Sequence, residues 1–288
     1  MCAEKDGAGR LEAEPAGLRG VKTIVAVGAG KGGVGKSTIA VHLAVGLRRT
    51  GATVGLLDAD VYGPSLGRMM GIEGRAGQVA GEHCILPFEA AGLKVMTLAN
   101  FVPADQAMIW RGPMVHGAVR QLLADVAWGE LDYLVVDLPP GTGDAPLTLA
   151  QTAGVAGAVV VSTPQALALA DAIRAAQMYQ RLGIHVLGFV ENMSYFVCPH
   201  CGHEHDIFGR GGAARAAERL GVPVLAEIPL NLALRANTDE ARAEADFDGP
   251  VEVAEALKGM VDAVLEQLRL REQTLPPPRP LRVKARDS

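Results

Sequence analysis

The chain has 288 residues, 49% hydrophobic and 20% charged, which is enough apolar material for one large α/β domain or two ordinary ones. A formal net charge of -5 argues against a chain-wide electrostatic grip on nucleic acid, and four cysteines are too few for a disulfide framework. They fit a reducing compartment, where a cysteine pair binds metal or does redox chemistry.

Residues 1–20, MCAEKDGAGRLEAEPAGLRG, hold no apolar run long enough for a signal peptide. Glu4, Asp6, Glu12 and Glu14 also disfavour an acid-poor organellar leader. This stretch is expected to be flexible. From Val21 the pattern changes, and residues 21–272 read as one domain. VKTIVAVG, TVGLLDAD, LDYLVVDLP, AGAVVVST and HVLGFVEN are short, nearly continuous apolar runs, predicting parallel strands buried on both faces. Between them a first helix carries Ile39, Leu43 and Leu47 toward the sheet. Residues 166–182 and 211–220 predict further helices, closed by Gly183 and Gly221. A last helix over 251–270 places Leu257, Met260, Val261, Val264, Leu265 and Leu268 on one side. Its mixed charges favour docking on the sheet over lying on a membrane, and no apolar run in the chain is long enough to span one. Residues 273–288 form a proline-rich, then basic tail, expected to stay extended. The fold class predicted is α/β: a P-loop NTPase with a mostly parallel central sheet flanked by helices on both faces, in a cytoplasmic protein.

The first strand runs into AGKGGVGKST and then a helix, the context a phosphate loop requires. Gly30, Gly32, Gly33, Val34, Gly35, Lys36, Ser37 and Thr38 form the predicted cradle. Glycines let backbone N–H groups face phosphate oxygens, and the helix adds its positive end. Lys36 is expected to reach the β- and γ-phosphates of ATP and Ser37 to hold Mg²⁺. In VVDLPPG, Asp137 ends a strand and is expected to orient Mg²⁺ through water. Asp58 and Asp60 end the second strand, and only one of them is expected to point into a core. One would support Mg²⁺ and the other, Asp60, would polarise the attacking water. No NKxD guanine-recognition motif is present, so ATP is favoured over GTP.

MSYFVCPHCGHEHDIFG, residues 193–209, holds Cys198 and Cys201 in a CxxC. With His203 and His205 the pair supplies a Cys₂His₂ zinc set by count, though the histidines stand closer together than such sites use. A Cys₄ zinc shared between subunits fits the same thiols. A thioredoxin-like redox pair fits less well, because this CxxC follows a strand end rather than opening a helix. Cys84, ahead of ILPF, reads as a small half-buried residue, and Cys2 lies in the flexible start.

GKGGVGKST, DADVYGPS, WRGPM, LDYLVVDLPPGTGD, VSTPQ, ENMSYFVCPHCG and IFGRGG occur in this order between Gly30 and Gly212. Over most of residues 21–235 the chain thus resembles the Mrp/ApbC-type iron–sulfur cluster carrier ATPases, a branch of the ParA/MinD-like deviant P-loop group. The resemblance implies a homodimer in which Cys198 and Cys201 meet their twins and four thiolates hold a bridging [4Fe–4S] cluster. It implies that Lys31 crosses the dimer interface to the partner's nucleotide and acts as a catalytic group with Lys36 and Asp60. It gives Asn192 the adenine edge to read. Apo iron–sulfur proteins would be the recipients and a scaffold protein the donor, with no specific nucleic acid and no membrane as partner. Slow basal hydrolysis is expected.

The family's N-terminal variants find no match here, since only Cys2 lies in that stretch, and Asn231 in IPLNLALR stands where the family often has Asp. A ParA/MinD-like positioning ATPase is the alternative, and Arg279, Arg282, Lys284 and Arg286 would give it only weak DNA binding. A nucleotide switch with a zinc-stapled dimer is another. A scaffold with a vestigial nucleotide site fits least, because Lys36, Ser37 and Asp137 are all present.

Overall fold

A computed structural model describes residues 15–80, 84–101 and 112–281. Cys2, Trp110, Arg111, Arg282, Lys284 and Arg286 lie outside the described residues. After a 3₁₀ turn at Ala16–Leu18, β1 (Val21–Ala29) runs into the glycine loop and α1 (Lys36–Arg49). β2 (Val54–Asp58) and α2 (Leu66–Met69) come next. Four short strands follow: β3 (Gln78–Val79), β4 (Ile85–Leu86), β5 (Phe88–Ala90) and β6 (Leu93–Thr97). Helix and strand then alternate through α3 (Gly112–Asp125), β7 (Leu131–Asp137), α4 (Asp144–Thr152), β8 (Val155–Ser162) and α5 (Ala166–Arg181). The last third holds β9 (Val186–Asn192), a small ladder of β10 (Phe196–Val197) and β11 (Glu204–His205), and α6 (Gly212–Leu220). β12 (Val224–Ile228), α7 (Leu232–Asp239) and α8 (Val251–Thr274) complete it.

Eight strands form one sheet in the order β12-β9-β8-β1-β7-β2-β6-β5. Every neighbouring pair is parallel except β5–β6, which closes one edge as an antiparallel turn-back. The five predicted strands are all in it. Because side chains alternate along a strand, β1 sends Val25, Val27 and Ala29 to one face and Ile24 and Ala26 to the other. The first face is covered by α1, α7 and α8, the second by α3 to α6. The sheet is thus covered on both faces, as parallel sheets require.

Ile39, Leu43 and Leu47 are buried as expected, and α1 is buried on its other sides too from Ile39 to Leu47, because it lies between the sheet and α8. Gly46 allows that approach, since a Cβ there would sit 2.3 Å from Val261 Cγ2. Cys84 is buried rather than half-buried. Leu18, within the stretch expected to be flexible, is also fully buried, and Gly17 packs against the backbone of Leu123, Ala124 and Val126.

The docking expected of the last helix is observed, with Leu257, Met260, Val261, Val264 and Leu268 buried. Beyond it the chain turns back along the sheet. Arg271 Nη2 donates to Pro276 O at 2.6 Å, and Leu281 N donates to Ala150 O at 2.6 Å. Among the described residues, no helix is long and apolar enough to cross a membrane.

Candidate functional site

The carboxyl ends of β1, β2, β7 and β9 converge at one edge of the sheet, where an open α/β sheet binds ligands. Here β1 becomes the glycine loop. Gly33 and Gly35 take φ of 80° and 82°, a left-handed backbone that side chains disfavour. Gly35 immediately precedes α1, so the helix's first N–H groups open onto the loop. The loop is also pressed from two sides. A Cβ on Gly30 would lie 2.0 Å from the carbonyl carbon of Asp171 in α5, and one on Gly28 would lie 1.8 Å from the Tyr179 hydroxyl. On the other side Gly141 N donates to Ala29 O at 2.8 Å, bringing the DLPPG turn onto the loop.

Lys36, Asp58, Asp60 and Asp137 form one buried cluster. Lys36 Nζ lies 2.5 Å from Asp137 Oδ1, 3.5 Å from Asp60 Oδ2 and 3.3 Å from Ser37 Oγ. The expectation that only one of Asp58 and Asp60 points inward is wrong: they are 1% and 7% exposed. Asp60 Oδ2 faces the lysine, while the Asp58 carboxylate is held by backbone and hydroxyl donors: Asp60 N at 3.0 Å, Leu66 N at 3.3 Å and Thr97 Oγ1 at 3.2 Å.

One ammonium does not balance three buried carboxylates. Burial, then the Asp137 charge, pushes Asp58 up to about 8, against the pull of Lys36. Burial also raises Asp137, although Lys36 and Ser37 favour its charged form. Asp137 Oδ2 is buried without a hydrogen-bond partner. Surplus negative charge, an orphaned hard oxygen and the Ser37 hydroxyl beside them are the donor set that Mg²⁺ prefers. The residues present therefore fit the ion.

Asn192 ends β9 beside this cluster. Its Nδ2 donates to Val34 O at 2.9 Å and fills the space where a Cβ on Gly35 would be. Its described bond is thus to the phosphate loop itself. Lys31 is half-buried and makes no hydrogen bond or ion pair among the described residues. Thr38 lies in the first turn of α1, and its carbonyl is bonded by His42 Nδ1 at 2.8 Å.

Six residues beyond Asn192, Cys198 stands at the tip of the β10–β11 ladder. Cys198 N donates to His203 O at 2.9 Å and Gly202 N donates to Cys198 O at 2.8 Å, so the CxxC closes a tight turn. The N–H groups of His200 and Cys201 and the Cys201 side chain bond the Cys198 sulfur and hold its thiol below the ordinary value. Both thiols are free, Cys201 being the more exposed. His203 and His205 do not complete a set around them. Among the described residues, no group of three or more histidine, cysteine or acidic side chains is placed to hold a metal.

Three residues of this region were not singled out from the sequence. Thr97 grips Asp58 from β6. Glu191, fully buried, takes Ser194 Oγ at 2.7 Å, Gly211 N at 2.9 Å and Ala213 N at 2.6 Å, capping α6. An acid inside the apolar run HVLGFVEN was the available signal. The third is Arg210 of IFGRGG, which bonds Glu204 and Glu227. Asn231 proves to be the N-cap of α7, accepting from Ala233 N at 2.8 Å.

Comparison with known proteins bears on the family and the fold. Residues 20–265 match the ParA family described as NUBPL iron-transfer P-loop NTPase. The chain is 53% identical over 264 residues to an iron-sulfur cluster carrier protein of Deinococcus radiodurans, covering 91% of this chain and 74% of that one. It is similar to the structure of a nucleotide-binding protein from Archaeoglobus fulgidus in complex with ADP. The TM-score there is 0.71 at 41% identity, over 82% of this chain and 92% of the other. The cell division ATPase MinD of Pyrococcus furiosus shares the fold, with a TM-score of 0.61 at 20% identity over 85% and 98% of the two chains.

Proposed function

The chain belongs to the ParA family of NUBPL-type iron-transfer P-loop NTPases, and on that premise we propose that it is an ATP-driven carrier of a [4Fe–4S] cluster. Two copies hold the cluster between them through Cys198 and Cys201 of each and pass it to apo iron–sulfur proteins. One observation carries this reading: two free thiols, half of a four-thiolate set, sit on a turn whose root, Asn192, is bonded into the phosphate loop. Nucleotide and cargo are thereby adjacent along seven residues of one chain.

In this reading Lys36 leaves Asp137 for the β- and γ-phosphates as ATP enters, exchanging a carboxylate counterion for a phosphate. Ser37 and Asp137, the latter through water, hold Mg²⁺, with Asp58 supporting them. Bound there, Mg²⁺ supplies charge neutralisation at the phosphate oxygens. Asp60, whose Oδ1 accepts Gly63 N at 3.3 Å, orients the attacking water. The unpaired Lys31 reaches the nucleotide of the second copy, and Asn192 senses the loop and the adenine side of the site. Cargo transfer itself is thiolate exchange at iron and needs no electron. We place the reaction in the cytoplasm, with a scaffold protein as donor.

The test is anaerobic reconstitution with iron and sulfide, comparing wild type with Cys198→Ala/Cys201→Ala by Mössbauer spectra, metal content and mass in solution. A [4Fe–4S] signal confined to wild-type dimer supports the carrier. Colourless wild-type protein that retains zinc instead replaces it with a zinc-stapled nucleotide switch.

A further inference from the structure

The β10–β11 ladder that carries the cysteines is small. Only two pairs join it, Phe196 with His205 and Val197 with Glu204. A two-stranded ladder of this length has no independent stability in water. Its root is firm: Ser194 N donates to Ile228 O at 2.9 Å, Leu230 N donates to Tyr195 O at 2.7 Å, and Glu191 holds the returning end at Gly211 and Ala213. Between root and tip, among the described residues, the side-chain link from ladder to sheet is Arg210.

Its guanidinium touches three places at once. Nη1 donates to Glu204 Oε2 of β11 at 2.6 Å, Nε donates to Glu227 Oε2 of β12 at 3.0 Å, and Cζ lies 4.5 Å from the centre of the Tyr195 ring. Glu204 pairs directly with Val197, the residue before Cys198. The planar fork of arginine satisfies two carboxylates on different strands while its face stacks on an aromatic ring, which an ammonium cannot do.

We propose that Arg210 is the positioning residue of the cysteine turn, fixing through Glu204, Glu227 and Tyr195 the angle at which Cys198 and Cys201 leave the sheet. It ligates nothing itself. The inference rests on the carrier reading for its consequence, since thiolates that must meet twins in a second copy tolerate little misplacement. The positioning itself belongs to the single chain.

The experiment compares Arg210→Met, which keeps the apolar stem, and Arg210→Lys with wild type. In the metal-free protein, hydrogen exchange is read at Cys198 N–H and Gly202 N–H, the amides that close the turn. In the reconstituted dimer, the rate of iron release to a chelator is read. Arg210→Met is expected to speed both by about tenfold, the loss of two charge-assisted bonds and a stack at a partly exposed site. Arg210→Lys recovers part of each, because a lysine reaches one carboxylate, and MgADP affinity stays at the wild-type value in both variants as a measure of intact folding. Turn amides that exchange at the wild-type rate in Arg210→Met overturn the inference, whatever the cargo. Faster exchange in a protein whose wild type takes no cluster upholds the positioning and removes the carrier reading instead.

Discussion

Replacing Asp58 with asparagine should flatten the pH dependence of folding in the metal- and nucleotide-free protein. Asp58 is fully buried beside Asp137, and its carboxyl is raised from 3.8 to about 8. An acid with a raised folded-state value holds its proton more tightly when folded than when unfolded. Its contribution is therefore fully favourable below pH 4 and is lost as pH rises to about 8. With ~1.4 kcal/mol per unit over that span, the loss reaches roughly 6 kcal/mol. Asparagine mimics the protonated form: its oxygen accepts from Asp60 N, and its amide faces Thr97 Oγ1 as the acid proton does. Both forms give up an acceptor toward Leu66 N, so this loss cancels below pH 5. Between pH 5 and pH 8.5 the melting temperature of Asp58→Asn should therefore rise relative to wild type, by about 10 °C for a domain of this size. Thermal unfolding followed by circular dichroism from pH 5 to 9 measures it. Parallel curves, or a variant uniformly less stable, would refute the argument that these carboxylates repel one another across Lys36.

Gly35→Ala forces a Cβ to 2.1 Å from Asn192 Nδ2 in a backbone of φ 82°, so it should cost about 3 kcal/mol and weaken MgATP binding at least tenfold, read by denaturation and calorimetry. Lys31→Ala should leave MgATP affinity within about threefold while turnover falls on the order of 10³-fold, the scale of a residue supplied in trans. Turnover at the wild-type rate in that variant would remove Lys31 from the chemistry.

The phosphate loop was legible because its information is contiguous: glycines, a lysine and a serine at fixed spacing between a strand and a helix. The five central strands were legible for a similar reason, since burial on both faces leaves an unbroken apolar run. What stayed hidden depends on chain returning from a distance. α1 looks amphipathic until α8 covers its outer side. Asp58 and Asp60 look too polar to be buried together until Lys36 is placed between the strands. The docking of Leu281 on Ala150 and of Arg210 on Glu227 joins segments that no local pattern pairs. The CxxC stands out in the sequence by its spacing, but its accessibility and the lowered Cys198 thiol belong to the turn that carries it.

The contact between Gly30 and the backbone of Asp171, with the Tyr179 hydroxyl at Gly28, makes α5 a wall behind the phosphate loop. Ala172, Ala175 and Ala176 line the buried side of that wall with no exposure at all. A genetic selection for lost nucleotide binding should therefore return lesions in α5, a helix beginning more than a hundred residues downstream of the loop. Enlarging any of these alanines pushes the helix outward or the loop inward. Such alleles would look like remote, allosteric defects on a linear map, while in space they are the thickness of a missing methyl group away.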